Sequence, residues 1–142
     1  MFLEEGCLMD GFDRFVRTEL LIGADGLVRL ANSSVAVFGI GGVGSYAAEA
    51  LARSGVGKMT LIDHDRIDET NINRQIHALT HTIGQAKTEV MKQRVQAINP
   101  ACEVVSMMAF YQAEHAAQFF RSKYDYVVDA VDTVSAKIHL AI

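Results

Sequence analysis

Val35-Ala-Val-Phe38 passes without a break into Gly39-Ile-Gly-Gly-Val-Gly44, a short β-branched apolar run followed by four glycines within six positions. The helical pattern Val43–Arg53 comes next. Strand, glycine turn and helix in that order make a phosphate cradle. Glycine allows the tight turn and lets backbone amides approach an anion, and the helix start adds unpaired N–H groups and the positive end of its dipole. Gly39, Gly41, Gly42 and Gly44 are therefore candidate nucleotide-binding residues. The alternative is a purely structural turn with close helix packing.

Outward from this turn, short apolar runs alternate with helical-period segments, the pattern of βαβ units around a parallel sheet. The expected strands are Val35–Phe38, Met59–Ile62, Cys102–Met107 and Tyr126–Asp129, and the expected crossover helices Val43–Arg53, Gly84–Ile98 and Ala113–Ser122. An amphipathic segment, Phe12–Ile22, precedes the first strand and carries Arg14 and Arg17. The fold class is α/β, a Rossmann-like, doubly wound, mostly parallel sheet with helices on both faces. Such sheets bind ligands beyond the carboxyl ends of the strands, where strand order reverses. The domain should run from residue 12 to 142, after an N-terminal tail at 1–11. Because such sheets usually continue and Ile142 falls inside a helical pattern, the expectation is the N-terminal part of a longer enzyme.

Composition narrows the setting. The chain of 142 residues is half hydrophobic, enough for one core. Cys7 and Cys102 form no CxxC pair, which argues against a disulfide framework or a cysteine-rich zinc site and for a reducing cytoplasm. No apolar run approaches the roughly 20 residues that cross a bilayer, so no membrane partner is expected. A net charge of −4 offers no global attraction to nucleic acid, so any RNA contact must be local. The five histidines show no metal-ligand spacing, and most of them read as surface or loop residues.

Asp63 lies about 24 residues past Gly39, near the spacing of a carboxylate that bonds ribose hydroxyls, so these residues alone leave NAD open. Asp65, Asp68 and Glu69 read as solvated loop acids. The tie is broken by Thr70-Asn-Ile-Asn-Arg-Gln75 and Gly84-Gln-Ala-Lys87. A triphosphate undergoing displacement needs cations around its developing charge, which Arg74 and Lys87 supply and an NAD site does not require. Asp132, just past the last strand, can hold Mg²⁺ against phosphates, or cap the helix that follows. The cofactors expected are thus ATP and Mg²⁺. Asp129 reads as structural.

Taken together, Arg17, Gly39–Gly44, Asp63-His-Asp65, Asn71-Ile-Asn-Arg-Gln75, Lys87 and Asp132 resemble the adenylating domain of the ThiF/MoeB and ubiquitin-activating superfamily. Thr70–Leu79 with Ala97-Ile-Asn-Pro100 looks most like its tRNA threonylcarbamoyladenosine dehydratase branch, TcdA or CsdL. The resemblance implies that Asp63 binds ribose, Asn71 and Arg74 contact phosphates, Lys87 stabilises the triphosphate and Asp132 holds Mg²⁺. It also implies a homodimer in which Arg17 reaches the partner's site, a tRNA substrate and a sulfur-transfer protein partner. The implied activity is ATP-dependent carboxylate adenylation that cyclises threonylcarbamoyladenosine in tRNA. Adenylation of a sulfur-carrier C-terminus is the alternative, ahead of an NAD(P) oxidoreductase or a non-catalytic nucleotide-binding module.

Overall fold

The computed structural model describes residues 13–141. The N-terminal tail, Cys7 and Phe12 lie outside the described residues. The elements are α1 (Val16–Ala31), β1 (Ser34–Phe38), α2 (Gly42–Ser54), β2 (Lys58–Asp63), α3 (Lys87–Ile98), β3 (Glu103–Met108), α4 (Ala116–Phe119), β4 (Tyr126–Asp129) and α5 (Val134–Leu140), with short 3₁₀ turns between some of them. The four strands form one sheet in the order β3-β2-β1-β4, parallel throughout. Phe38 pairs with Ile62 on one side and Asp129 on the other, which brings the carboxyl ends of three strands level.

The central strands are apolar on both faces because helices cover both. Alternation along β1 divides the core. Val35 and Val37 join Met59, Leu61, Ala48, Ala52, Met91 and Val95 beneath α2 and α3. Ala36 and Phe38 join Ile62, Tyr111, Phe119 and Ala136 beneath α4 and α5. Cys102 is buried in the first of these clusters, and burial pushes its thiol up to about 11, the behaviour of a small hydrophobe. The chain leaves β1 toward β2 and β3, then returns to lay β4 on the opposite side of β1. That reversal puts a crevice between the ends of β1 and β4.

Three helices differ from the sequence expectation. The amphipathic segment does not stop at Ile22: Gly23 takes φ 73°, ψ 169°, kinking the chain, and helix resumes to Ala31, anchored by buried Leu27. Arg14 Nη1 donates to the Ile98 carbonyl at 2.7 Å. The helix expected from Gly84 begins at Lys87, since Gly84 has φ 83° and Ala86 is held in an antiparallel bridge with Arg66. Ala113–Ser122 shrinks to one 3₁₀ turn and the four residues of α4, where the Tyr124 hydroxyl donates to the freed Phe119 carbonyl at 3.0 Å.

Between β2 and α3 the chain makes a compact loop. Asp68 accepts from the Thr70 N–H while Asn71 Oδ1 accepts from the Asp68 N–H, a reciprocal cap. Asp68 is thus an exposed loop acid that also caps this turn. His77, a loop residue, is nevertheless buried to 1% exposure, and neither ring nitrogen finds a partner among the described residues. Burial, reinforced by the positive charge of Lys87, lowers its pKa to about 4 from an ordinary 6.5. The unfolded chain therefore takes up this proton first. Stability should fall by up to about 3 kcal/mol as pH drops from 6.5 toward 4. Urea unfolding across that range checks this: His77→Gln should flatten the slope, and an unchanged slope would remove His77 from the account.

Candidate active site

The crevice between β1 and β4 is a cavity of about 630 Å³, within the range of small-molecule sites. Its lining draws on six separate stretches. They are the turn after β1, Asp63–Asp65 after β2, Asn71–Gln75 in the loop, Lys87 at the start of α3, and Asp129–Thr133 after β4, with Ala109–Tyr111 after β3 completing the wall. Gly41, Gly42, Asp63, Asn71, Arg74, Lys87 and Asp132, singled out from sequence, all face it.

The four glycines divide into two pairs. Gly39 has φ 86°, and a Cβ there would lie 2.5 Å from the Ala130 carbonyl oxygen; one on Gly44 would lie 1.7 Å from the Gly39 oxygen. These two allow backbone to pack on backbone. Around Gly41 and Gly42 nothing lies closer than 3.6 Å, so a side chain there would intrude only on the cavity. Gly41 is the N-cap of α2 and supplies no side-chain cap, which leaves the first N–H groups of a 13-residue helix for an anion. The cradle fits phosphate.

Asp63 is fixed by two backbone donors, the Ile40 N–H to Oδ2 at 2.6 Å and the Asp65 N–H to Oδ1 at 2.7 Å. Each carboxylate oxygen retains a lone pair for a hydroxyl. Asn71 is buried, and with Oδ1 committed to its cap its Nδ2 group is what it can offer the cavity. The Arg74 guanidinium donates from Nη1 to the Thr70 carbonyl and Asn73 Oδ1 at 2.8 and 2.9 Å. Its side chain also packs against Gly42, at the start of α2. The remaining guanidinium donors are unspent. Lys87 is buried, its Nζ 2.9 Å from Asp65 Oδ2, so Asp65 is the lysine's counter-ion and not a free loop acid.

Across the cavity, Asp132 is exposed and has no polar partner among the described residues. The N-cap of α5 is Thr133, so the capping alternative for Asp132 fails and its carboxylate is available to a cation. Asp129 meets Lys137 at 3.2 Å and accepts from the Val131 N–H, in keeping with a structural reading. Asp63, His64 and Asp65 lie close enough to share a metal ion. Yet the Lys87 ammonium beside Asp65 repels a second cation at this cluster. Asp132 is therefore the carboxylate best suited to Mg²⁺.

Arg17 lies elsewhere. It is exposed on α1 and does not line the cavity. Sequence reasoning missed Asp65, as well as Gln75, which is buried against the cavity with its Oε1 unpartnered and its amide nitrogen beside Gly41. The signal for both lay only in their neighbours in the motif. It also missed Phe110, half-exposed on the cavity wall, with His64 edge-on to its ring at 4.7 Å.

Comparison with known proteins places this geometry. The ThiF family profile matches residues 13–141. A protein of Bacillus subtilis (strain 168) named tRNA threonylcarbamoyladenosine dehydratase is 58% identical over 127 residues, 89% of this chain and 50% of its own length. A sulfur carrier protein adenylyltransferase of Thermus thermophilus is 36% identical over 122 residues, 84% of this chain and 45% of its own. The crystal structure of E. coli tRNA N6-threonylcarbamoyladenosine dehydratase in complex with ATP superposes with a TM-score of 0.88 at 48% identity, covering 91% of this chain and 53% of that one. The chain spans about half the length of the curated relatives it matches. With the ThiF family profile matched over residues 13–141, and a glycine turn, Asp63 and the buried Lys87 gathered at one sheet edge, this chain belongs to the ThiF family.

Proposed function

We propose that this chain is the nucleotide-binding part of an enzyme that uses ATP to activate a carboxylate as an acyl-adenylate, the carboxylate being that of threonylcarbamoyladenosine in tRNA. The observation that carries the reading is the cavity itself. Its glycine turn, Asn71, Arg74 and buried Lys87 supply donors and positive charge, while Asp132 supplies an unpaired carboxylate. A dinucleotide needs the turn and the acid but neither cation nor Asp132. The 58% identity to a relative named for the tRNA reaction supports the choice of substrate. Activation of a sulfur-carrier C-terminus, with a sulfur-transfer protein as partner, is the second reading, supported by the 36% relative named for that chemistry.

In the mechanism that follows, Asp63 accepts the ribose hydroxyls and the N–H groups at the start of α2 hold phosphate. Asn71 Nδ2 and the free Arg74 donors meet phosphate oxygens beside Gly42. The substrate carboxylate attacks the α-phosphorus; a carboxyl O–P bond forms, the bond to the β-phosphate oxygen breaks, and pyrophosphate leaves. Lys87 and Arg74 stabilise the negative charge that grows on these oxygens. Mg²⁺, held by Asp132, would neutralise further phosphate charge. The ureido nitrogen of the modified adenosine then attacks the activated acyl carbon and loses its proton, and AMP departs as the ring closes. None of the described helices is long and apolar enough to cross a membrane, and we place the reaction in the cytoplasm, with its tRNA.

The cavity chemistry is tested by calorimetric titration and by exchange kinetics on the full-length protein. ATP with Mg²⁺ should bind in preference to NAD, and equal or tighter NAD binding removes the main argument for adenylation. Arg74→Ala and Lys87→Ala should each lower kcat by on the order of a hundredfold in pyrophosphate exchange with the modified tRNA. Full activity in either variant would reassign that residue to structure. If exchange instead requires a sulfur-carrier protein, the second reading replaces the first.

A symmetric homodimer belongs to the same proposal. On α1, Leu20 and Leu21 are 74% and 87% exposed, with Val16 and Ile22 also exposed. This apolar surface flanks Arg17, whose guanidinium reaches no part of its own cavity. A second copy would cover the leucines and receive the arginine, as an arginine finger does. Mixing Arg17→Ala subunits with Asp132→Ala subunits tests this. Shared sites leave one competent site in each mixed dimer and restore part of the activity, whereas activity that stays as low as in either parent means that Arg17 serves its own subunit.

A further inference from the structure

Lys87 sits at a depth where an ammonium is costly unless a counter-charge meets it; its side chain is 7% exposed. Asp65, itself half-exposed, meets it at 2.9 Å, and the contact is braced through the backbone. The Lys87 N–H donates to the Asp65 carbonyl at 3.1 Å. The Asp65 N–H donates to Asp63 Oδ1, and the other oxygen of Asp63 accepts from Ile40 in the glycine turn. The turn, the ribose-side acid, Asp65 and Lys87 are thus one hydrogen-bonded chain running along the cavity wall.

The other neighbours of the pair leave the ammonium to Asp65. His77, buried behind the cavity, stays uncharged near neutral pH and so adds no second cation. His64 Nε2 lies 3.2 Å from Asp65 Oδ1, on the exposed side of the carboxylate, leaving Oδ2 to the lysine. An ammonium has three N–H donors. One of them, spent on Asp65, fixes where the other two point.

We propose that Asp65 is a positioning residue, which holds the Lys87 ammonium in the nucleotide cavity so that its free donors meet the triphosphate without rearrangement. The assignment rests on the adenylation reading above. Asp65 does not itself contact nucleotide; it acts through Lys87.

The test uses the full-length protein with ATP and tRNA carrying threonylcarbamoyladenosine, read as steady-state AMP release, with AMP affinity measured separately by calorimetry. Asp65→Asn should lower kcat by about tenfold, the scale of a misplaced rather than a deleted group. AMP affinity should not change, because Asp63 and the glycine turn hold that part of the ligand. Asp65→Glu, which restores the charge, should recover most of the rate. In a Lys87→Ala background, Asp65→Asn should have no further effect, since the residue through which it acts is gone. Undiminished kcat in Asp65→Asn overturns the proposal. So does a parallel loss of AMP affinity, which would mean that Asp65 only supports Asp63, or an undiminished effect of the substitution without Lys87. A wild-type protein that binds AMP but releases none from ATP brings down the adenylation reading and this assignment with it, an outcome distinct from an active wild type with a normal Asp65→Asn variant.

Discussion

Everything at this site depends on how closely two pieces of backbone approach at the end of β1. The Gly39 carbonyl lies where a Cβ on Gly44 would stand, and Ala130, just past β4, lies where one on Gly39 would stand. Protein interiors are too densely packed to absorb such an overlap. With both Cβ atoms missing, α2 can start immediately behind the turn and β4 can pair with β1 along its full length. The helix start therefore faces the crevice, and the segment carrying Asp132 arrives opposite it. A larger residue at either glycine would push apart the two walls of the cavity as well as the turn.

Charge at the site is arranged around the same turn. Asp63 is tied to the turn by Ile40 and to Asp65 by its own second oxygen, and Asp65 is tied to Lys87. Burying a lysine while leaving His77 uncharged behind it concentrates one positive charge at one place. In a low-dielectric pocket such a charge acts more strongly than at the surface. Arg74 is held differently, by local bonds to Thr70 and Asn73 on an exposed loop. One cation is fixed deep in the wall and the other rests over the start of α2.

The edge strand β4 exposes Tyr126 and Val127, α5 exposes Val134 and Ile138, and α1 exposes its leucines. The cavity is lined largely by residues between β1 and α5, and none of these exposed side chains belongs to its lining. Fold and phosphate chemistry do not themselves specify what else a protein binds, so these surfaces are free to vary without altering the cavity.

Local spacing made the turn, the four strands and the positions of Asp63 and Asp132 legible in the sequence alone. Glycine conformation, β-branched runs and the step from strand to helix are properties of neighbouring residues, and they survive without any knowledge of the rest of the chain. Residue-by-residue resemblance added Asn71 and Arg17, which carry no local signal of their own. Only the tertiary structure decided the order β3-β2-β1-β4, the burial of His77 and the pairing of Asp65 with Lys87. It also decided that the helix before β1 continues past a kink at Gly23, and that Ala113–Ser122 holds only a short turn of helix. These outcomes depend on which distant segments meet, and a contact between residues far apart in the chain leaves no periodicity or composition in either segment for a sequence reading to detect.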